Sequence, residues 1–285
     1  MALLGLVAAL VASALFNVGV ALQGLEARGA PRATGLRLSM LGVLLRRRRW
    51  LLGLVLGLVG VAPQVLAYAT APFVVVQPAL AAGLLLLLAI GVRVFGERVG
   101  ARELAGVLAI IGGIALVAAG APPHSETHRG GSAVIGVVLG LGIVAVLPFV
   151  LRGTRFGHPS LTVIAAGCGF GAANVATKLF GDDAGTGHYP NAAAWALVAL
   201  LAGIVATITT MTAFQQRTAT MVVPVSTSIQ TYLPIVLEPL FLRERWSAVS
   251  LSGVPLAAGL VLGLIGTLLT ANNRAVGDLA AAAQR

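Results

Sequence analysis

The chain of 285 residues contains one cysteine, one lysine and little charge of any kind. Charged residues make up 10% of it, whereas a soluble domain carries about 25%, so there are too few to cover a globule in water. The lone cysteine, Cys168, lies in an apolar run with no partner to oxidise with, which excludes a disulfide-built secreted scaffold. No glycine-rich loop ending in Lys-Ser/Thr occurs, so any work the protein does must draw on a gradient or a partner rather than on a nucleotide. The apolar runs also lack a nucleophile–base pair, paired carboxylates or a metal cluster, so no enzyme is expected, and no cofactor. Basic residues outnumber acidic ones 19 to 9, but nearly all lie between the apolar runs, which argues against a nucleic-acid partner.

What the chain has in abundance is apolar length: 58% hydrophobic residues and a mean hydropathy of +0.97. Nine runs stand out: Ala2–Gln23, Trp50–Ala71, Phe73–Phe95, Ala101–Gly120, Ala133–Leu151, Ser160–Phe180, Ala192–Phe214, Met221–Leu242 and Ala248–Ala271. A membrane span needs about 20 such residues, and the bilayer core offers the backbone no partners, so each run is expected to be a transmembrane helix. The short alternating segments of a β-barrel are absent. The first run lacks a basic leading segment, exceeds the apolar core of a signal peptide and has its basic cluster behind it; retention as the first helix is expected.

If the nine helices alternate, 15 of the 19 basic residues fall on one side, among them Arg28, Arg32, Arg37, the run Arg46–Arg49, Arg152 and Arg217. Only Arg129, Arg243, Arg245 and Lys178 fall on the other. Positive loops stay in the cytoplasm, so a multi-pass cell-membrane protein is expected, with its N-terminus outside and its C-terminus inside. The stretch Thr34–Arg49 is too short in its apolar part to span. Its leucines beside arginines suggest a helix lying in the inner interface, with the arginine run either anchoring the next span or binding anionic lipid.

Shifting the chain by 147 residues sets Arg93–Gly120 against Leu240–Thr267 with seven of 28 positions identical, including Glu97/Glu244, Arg98/Arg245, Gly106/Gly253 and Gly112/Gly259. Phe16-Asn17-Val18 resembles Ala173-Asn174-Val175 at a slightly different offset. The expected fold is therefore an all-α polytopic membrane helical bundle of about nine helices. Residues 1–120 form a first four-helix repeat that includes the interfacial segment 34–49. Residues 121–151 hold an outer loop and a connector helix, 152–271 form the second repeat, and 272–285 are a cytoplasmic tail. One connecting helix reverses direction, so the repeats are inverted, a plan that places a site at the midplane of many transporters.

At these residues the chain resembles the drug/metabolite transporter (EamA-like) superfamily, whose halves each carry a Gly-Glu-Arg-like loop before their last helix. Here the loops are Phe95-Gly96-Glu97-Arg98 and Leu242-Arg243-Glu244-Arg245, the second with arginine in place of glycine. Leu22-Gln23, Leu66-Ala67-Tyr68-Ala69 with Pro72 and Pro78, and Arg245-Trp246-Ser247 resemble the NIPA-type magnesium transporter branch. The resemblance implies two inverted halves around a central cavity. It leaves open what enters, since the superfamily carries amino acids, nucleotide sugars, drugs and cations.

An ionisable group inside a span is a site candidate. Two qualify: Glu238, followed by Pro239, and Lys178. Glu238 either binds a proton or the positive group of a substrate, or it sits at the interface and neutralises Lys178. Asn174 and Lys178 share a helix face. Asn17, Gln64, Tyr68, Gln77, Gln215, Gln230 and Tyr232 are further polar groups that either line a shared cavity or hydrogen-bond between helices. Prolines 63, 78, 224 and 234 free carbonyls inside helices or merely kink them. The pairs Gly53/Gly57, Gly136/Gly140, Gly167/Gly171 and Gly259/Gly263 allow close helix contact. His124, Glu126 and His128 lack the ligand set of a zinc site. The function expected is secondary transport of a small polar solute or cation, Mg²⁺ being one candidate substrate. The alternatives are an exporter of organic metabolites or drugs, and a membrane scaffold that transports nothing. The partners expected are the lipid bilayer and the substrate; the oligomeric state is left open.

Overall fold

The computed structural model describes residues 2–70, 73–120, 132–154, 157–242 and 253–271. They are helical apart from short connections, and no strand occurs among them. The helices are α1 (Ala2–Arg28), α2 (Leu38–Leu44), α3 (Arg48–Thr70), α4 (Phe73–Ala81), α5 (Gly83–Phe95), α6 (Ala101–Gly120), α7 (Ser132–Val150), α8 (Pro159–Gly185), α9 (Tyr189–Gln216), α10 (Ala219–Leu242) and α11 (Val254–Ala271). A 3₁₀ turn, Arg32–Thr34, separates α1 from α2.

Each apolar run is helical wherever it is described, with two differences of detail. The run Phe73–Phe95 is broken at Ala82 into α4 and α5, and α1 and α8 extend past their expected ends to Arg28 and Gly185. Among the described residues, five stretches are long and apolar enough to cross a membrane: Leu3–Arg28, Pro78–Phe95 (which runs through the break at Ala82), Ala101–Gly120, Pro159–Thr177 and Tyr189–Gln216. Val134–Val150 and Val254–Thr270 are shorter apolar helices. Large side chains such as Leu58, Ile143, Leu200 and Leu264 are exposed on the outer faces. So much exposed apolar surface would not be tolerated in water and fits a multi-pass membrane protein.

The segment expected to lie in the inner interface packs one face against the bundle. Met40 and Leu44, one helical turn apart on α2, are fully buried against α9, while Leu38 and Leu45 are exposed. The Thr212 hydroxyl meets the Met40 sulfur at 3.6 Å, and Trp50 Nε1 donates to the Met211 sulfur at 3.4 Å. Threonines within α9 satisfy themselves: Thr207, Thr210 and Thr212 donate to the carbonyls of Gly203, Ala206 and Ile208. This is the local solution open to a hydroxyl with no water near it.

The most extensive packing joins α1 to α3, α8 to α9, and α6 to α11. In lipid, where burying leucine against leucine gains little, such contacts depend on close backbone approach through small residues. The α6–α11 seam is made that way. A Cβ on Gly106 would lie 2.9 Å from the Gly266 carbonyl, one on Gly113 2.7 Å from that of Gly259, and one on Gly120 2.7 Å from the Leu256 nitrogen. Rising numbers on α6 meet falling numbers on α11, so the two helices run antiparallel. Gly19 and Gly53 form a similar contact between α1 and α3. Of the expected small-residue pairs, Gly259/Gly263 and Gly53 are in contact with neighbouring helices, and Gly167 meets Ile229 of α10. Gly136 and Gly140 meet nothing within 4 Å.

Gly113→Leu is expected to force α6 and α11 apart and to cost about 1–3 kcal/mol of stability. Gly136→Leu, on an open face, is expected to leave the detergent melting temperature nearly unchanged; equal melting of the two variants would contradict the seam.

Candidate functional site

Three polar features interrupt the apolar packing. The first is the break between α4 and α5. The Ser13 hydroxyl of α1 donates to the Leu80 carbonyl at 2.5 Å, taking an acceptor that an unbroken helix would have paired internally. Asn17, one turn along α1, donates its amide to the Ser13 carbonyl at 2.8 Å. Both side chains abut Gly83, where a Cβ would collide with them. Ser13 and Asn17 are buried, so α1 meets the break between α4 and α5 by polar contact in an otherwise apolar interior. Irregular backbone at this depth needs such partners.

The second feature is a carboxylate junction. Gly96 adopts the left-handed conformation (φ 64°), which ends α5, and the Glu97 N–H turns back to the Gly91 carbonyl at 2.9 Å. Glycine suits this turn because a Cβ would strain it. The turn aims Glu97 at the start of α10. Its two carboxylate oxygens accept the backbone N–H groups of Ala219 and Thr220 at 2.8 and 2.9 Å, satisfying donors that a helix start leaves without partners. Arg28, at the end of α1, forms an ion pair with the same carboxylate and stacks over Phe95 at 4.4 Å from the ring centre. The Glu97 side chain is 4% exposed, so its charge is held by partners rather than by water. Beside it, Arg217 Nε and the hydroxyls of Thr218 and Thr220 are buried without a hydrogen-bond partner among the described residues.

The third feature is a cavity of about 490 Å³ at the arginine-rich end, between the α1–α2 connection, the end of α7, the start of α8 and the end of α9. Arg32, Arg152, His158 and Gln215 are on its wall. Gln215 also donates to the Ala30 carbonyl at 3.2 Å. Leu36, on the same wall, has φ 54°, and its N–H donates to the Thr212 hydroxyl at 3.0 Å. A left-handed leucine costs about 1–2 kcal/mol, so the surrounding contacts hold it there.

Of the candidate residues named from the sequence, those whose side chains are described take different places in the fold. Asn17 supports the helix break, and Gln215 lies at the cavity. Tyr232 is wedged from α10 between α6 and α11, against Gly113 and Gly263, and its hydroxyl donates to the Ile110 carbonyl at 3.0 Å. Gln64 and Gln230 are half-buried on α3 and α10, and Asn174 is exposed on α8, unlike Asn17 with which it was aligned. The side chains of Tyr68, Gln77, Lys178 and Glu238 lie outside the described residues, as does the segment with His124, Glu126 and His128. Ser13, Arg28 and the capping role of Glu97 were missed. The glycine-glutamate pair at the end of an apolar run was the available signal for the last of these. No protein-family model, curated protein or solved structure matches the chain.

Glu97→Ala strands Arg28 and two helix-start donors at once, and is expected to cost about 3 kcal/mol. Arg28→Ala, which leaves the carboxylate capping α10 and removes a partly exposed partner, is expected to cost less. Thermal unfolding in detergent checks the order; a reversed order would contradict the capping role.

Proposed function

We propose that the protein is a secondary transporter of a small polar solute, working by alternating access between two inverted four-helix sets joined by α7. The observation that carries this reading is a packing order that occurs twice. α1 packs on α3 as α8 packs on α9; α4 and α5 pack on α1 as α10 packs on α8; α6 packs on α4 as α11 packs on α10. The antiparallel α6–α11 seam then joins the sets. Gly112 and Gly259, equivalent under the 147-residue shift, lie within one residue of facing each other there, where an axis relating the sets would pass. The same shift places α10 on α4 and α5 together, so the third helix is broken in one set and continuous in the other. A broken helix packed against buried amide and hydroxyl groups is the kind of element from which inverted-repeat carriers build sites.

The Arg28–Glu97–α10 junction links the two sets at the arginine-rich end, which the positive-inside rule places in the cytoplasm. It acts as an inner gate in this reading. Opening it would let water reach the unpartnered Arg217, Thr218 and Thr220 atoms, offsetting part of the cost of breaking the ion pair. For the substrate, described groups near the break supply amide, hydroxyl and carbonyl oxygen. A divalent cation would draw in addition on the carboxylate of Glu238, since Mg²⁺ favours oxygen ligands and charge compensation. Mg²⁺ and organic solutes are therefore separate arms of one test.

Proteoliposomes loaded with unlabelled solute are expected to accumulate the labelled form by counterflow for one class among Mg²⁺, amino acids and organic cations. Glu238→Gln, inserted normally, is expected to lose most of that flux. Unchanged flux would remove the carboxylate from the mechanism, and a folded protein that exchanges none of these solutes would be a scaffold.

A further inference from the structure

We infer that the cavity at the arginine-rich end is a binding site for a phosphate-bearing anion, with a phospholipid headgroup as the favoured source. The inference rests on the membrane-embedded bundle and not on transport. Every charged side chain on the cavity wall is basic: Arg32 and Arg152, with His158 beside them. They come from three separate places in the chain, the α1–α2 connection, the turn after α7 and the start of α8, so the fold gathers them. Arg152 reaches across to the Ala33 carbonyl at 3.5 Å, which fastens the α7 end to the segment carrying Arg32.

The nearby carboxylates do not neutralise this group. At the same end, Glu26 is paired with Arg47, Glu97 with Arg28, and Glu103 accepts the Gly100 N–H at 2.7 Å. Among the described residues, Arg32 and Arg152 have no carboxylate partner. Two guanidinium groups on the wall of one cavity suit phosphate oxygens, which guanidinium groups grip in pairs. The wall also contains the left-handed Leu36, fixed by Thr212, so the shape of the cavity is maintained at a conformational cost.

The position favours a lipid. The cavity sits at the ends of the apolar helices α7 and α9 and the start of α8, and Val150 and Ile164, within a few residues of its wall in sequence, are exposed, as a site open to acyl chains would require. Basic pockets between helices at a membrane surface commonly hold anionic headgroups. Free phosphate or a phosphorylated solute shares the chemistry, and the test separates the two sources.

The full-length protein, purified in detergent, is titrated with phosphatidylglycerol, phosphatidylcholine and inorganic phosphate. Retained lipid is counted by native mass spectrometry, and the melting temperature is followed alongside. Phosphatidylglycerol is expected to bind and stabilise, with affinity about tenfold or more weaker in Arg32→Gln/Arg152→Gln. Arg46→Gln/Arg49→Gln, which removes two arginines at the same end but away from the cavity, is expected to bind as the wild type does. The single variants Arg32→Gln and Arg152→Gln are read the same way, so misfolding of the double variant does not decide the matter. Stabilisation by inorganic phosphate that the cavity variants lose would keep the site and assign it to a soluble anion. Unchanged phosphatidylglycerol affinity in the cavity variants, or an equal loss in the Arg46/Arg49 control, would overturn the site.

Discussion

Helices surrounded by lipid gain little by hiding their leucines from one another, so this bundle depends on the places where backbones touch. The α6–α11 seam shows this most fully. Gly106 and Gly113, seven apart on α6, meet Gly266 and Gly259, seven apart on α11, so the two backbones come close. Tyr232 closes the groove from α10, using the room that Gly113 and Gly263 leave. The first two helices of each set repeat the principle, with Gly19 against Gly53 as one instance.

Polar groups then appear where the close-packed scheme is interrupted, and several tie one element to another. Ser13 bonds the end of α4 at the break before α5, and Asn17 beside it bonds back to Ser13 and abuts Gly83. Glu97 ties the end of one helix to the start of another and to Arg28, so three segments distant in sequence share one carboxylate. Rigid seams joined by a few polar fastenings would suit the carrier proposed above, since the fastenings could exchange while the seams persist. The cavity at the arginine-rich end lies between the end of α7, the start of α8 and the end of α9, where a headgroup bound as proposed would steady those three ends.

How much of this was legible in the sequence depends on whether the cause was local. Helical runs follow from length and hydropathy alone, and those were readable. The break at Ala82 was not: the Leu80 carbonyl next to it is taken by the Ser13 hydroxyl of a helix 67 residues away, a partner no local window contains. Glu97 was visible as a repeat marker, yet its capping role required knowing that α10 begins beside it. For Tyr232 the sequence left open whether it lines a cavity or hydrogen-bonds between helices; its bond to Ile110 is of the second kind, and its room comes from Gly113 on α6 and Gly263 on α11, which no short window contains. The same holds for Asn17 and Asn174, alike in local sequence and opposite in burial. The docking of α2 through Met40 and Leu44 likewise depends on α9, which no short window contains.

The central claim is that two sets of four helices enter the membrane in opposite senses, with α7 as the single crossing between them. Accessibility tags inserted after Gly120 and after Leu151, read in intact cells with a reagent that cannot cross the bilayer, test it most directly. The account predicts that the tag after Gly120 reacts and the tag after Leu151 does not. Equal reactivity of the two would put both ends of α7 on one face, make the sets parallel, and contradict the inverted arrangement.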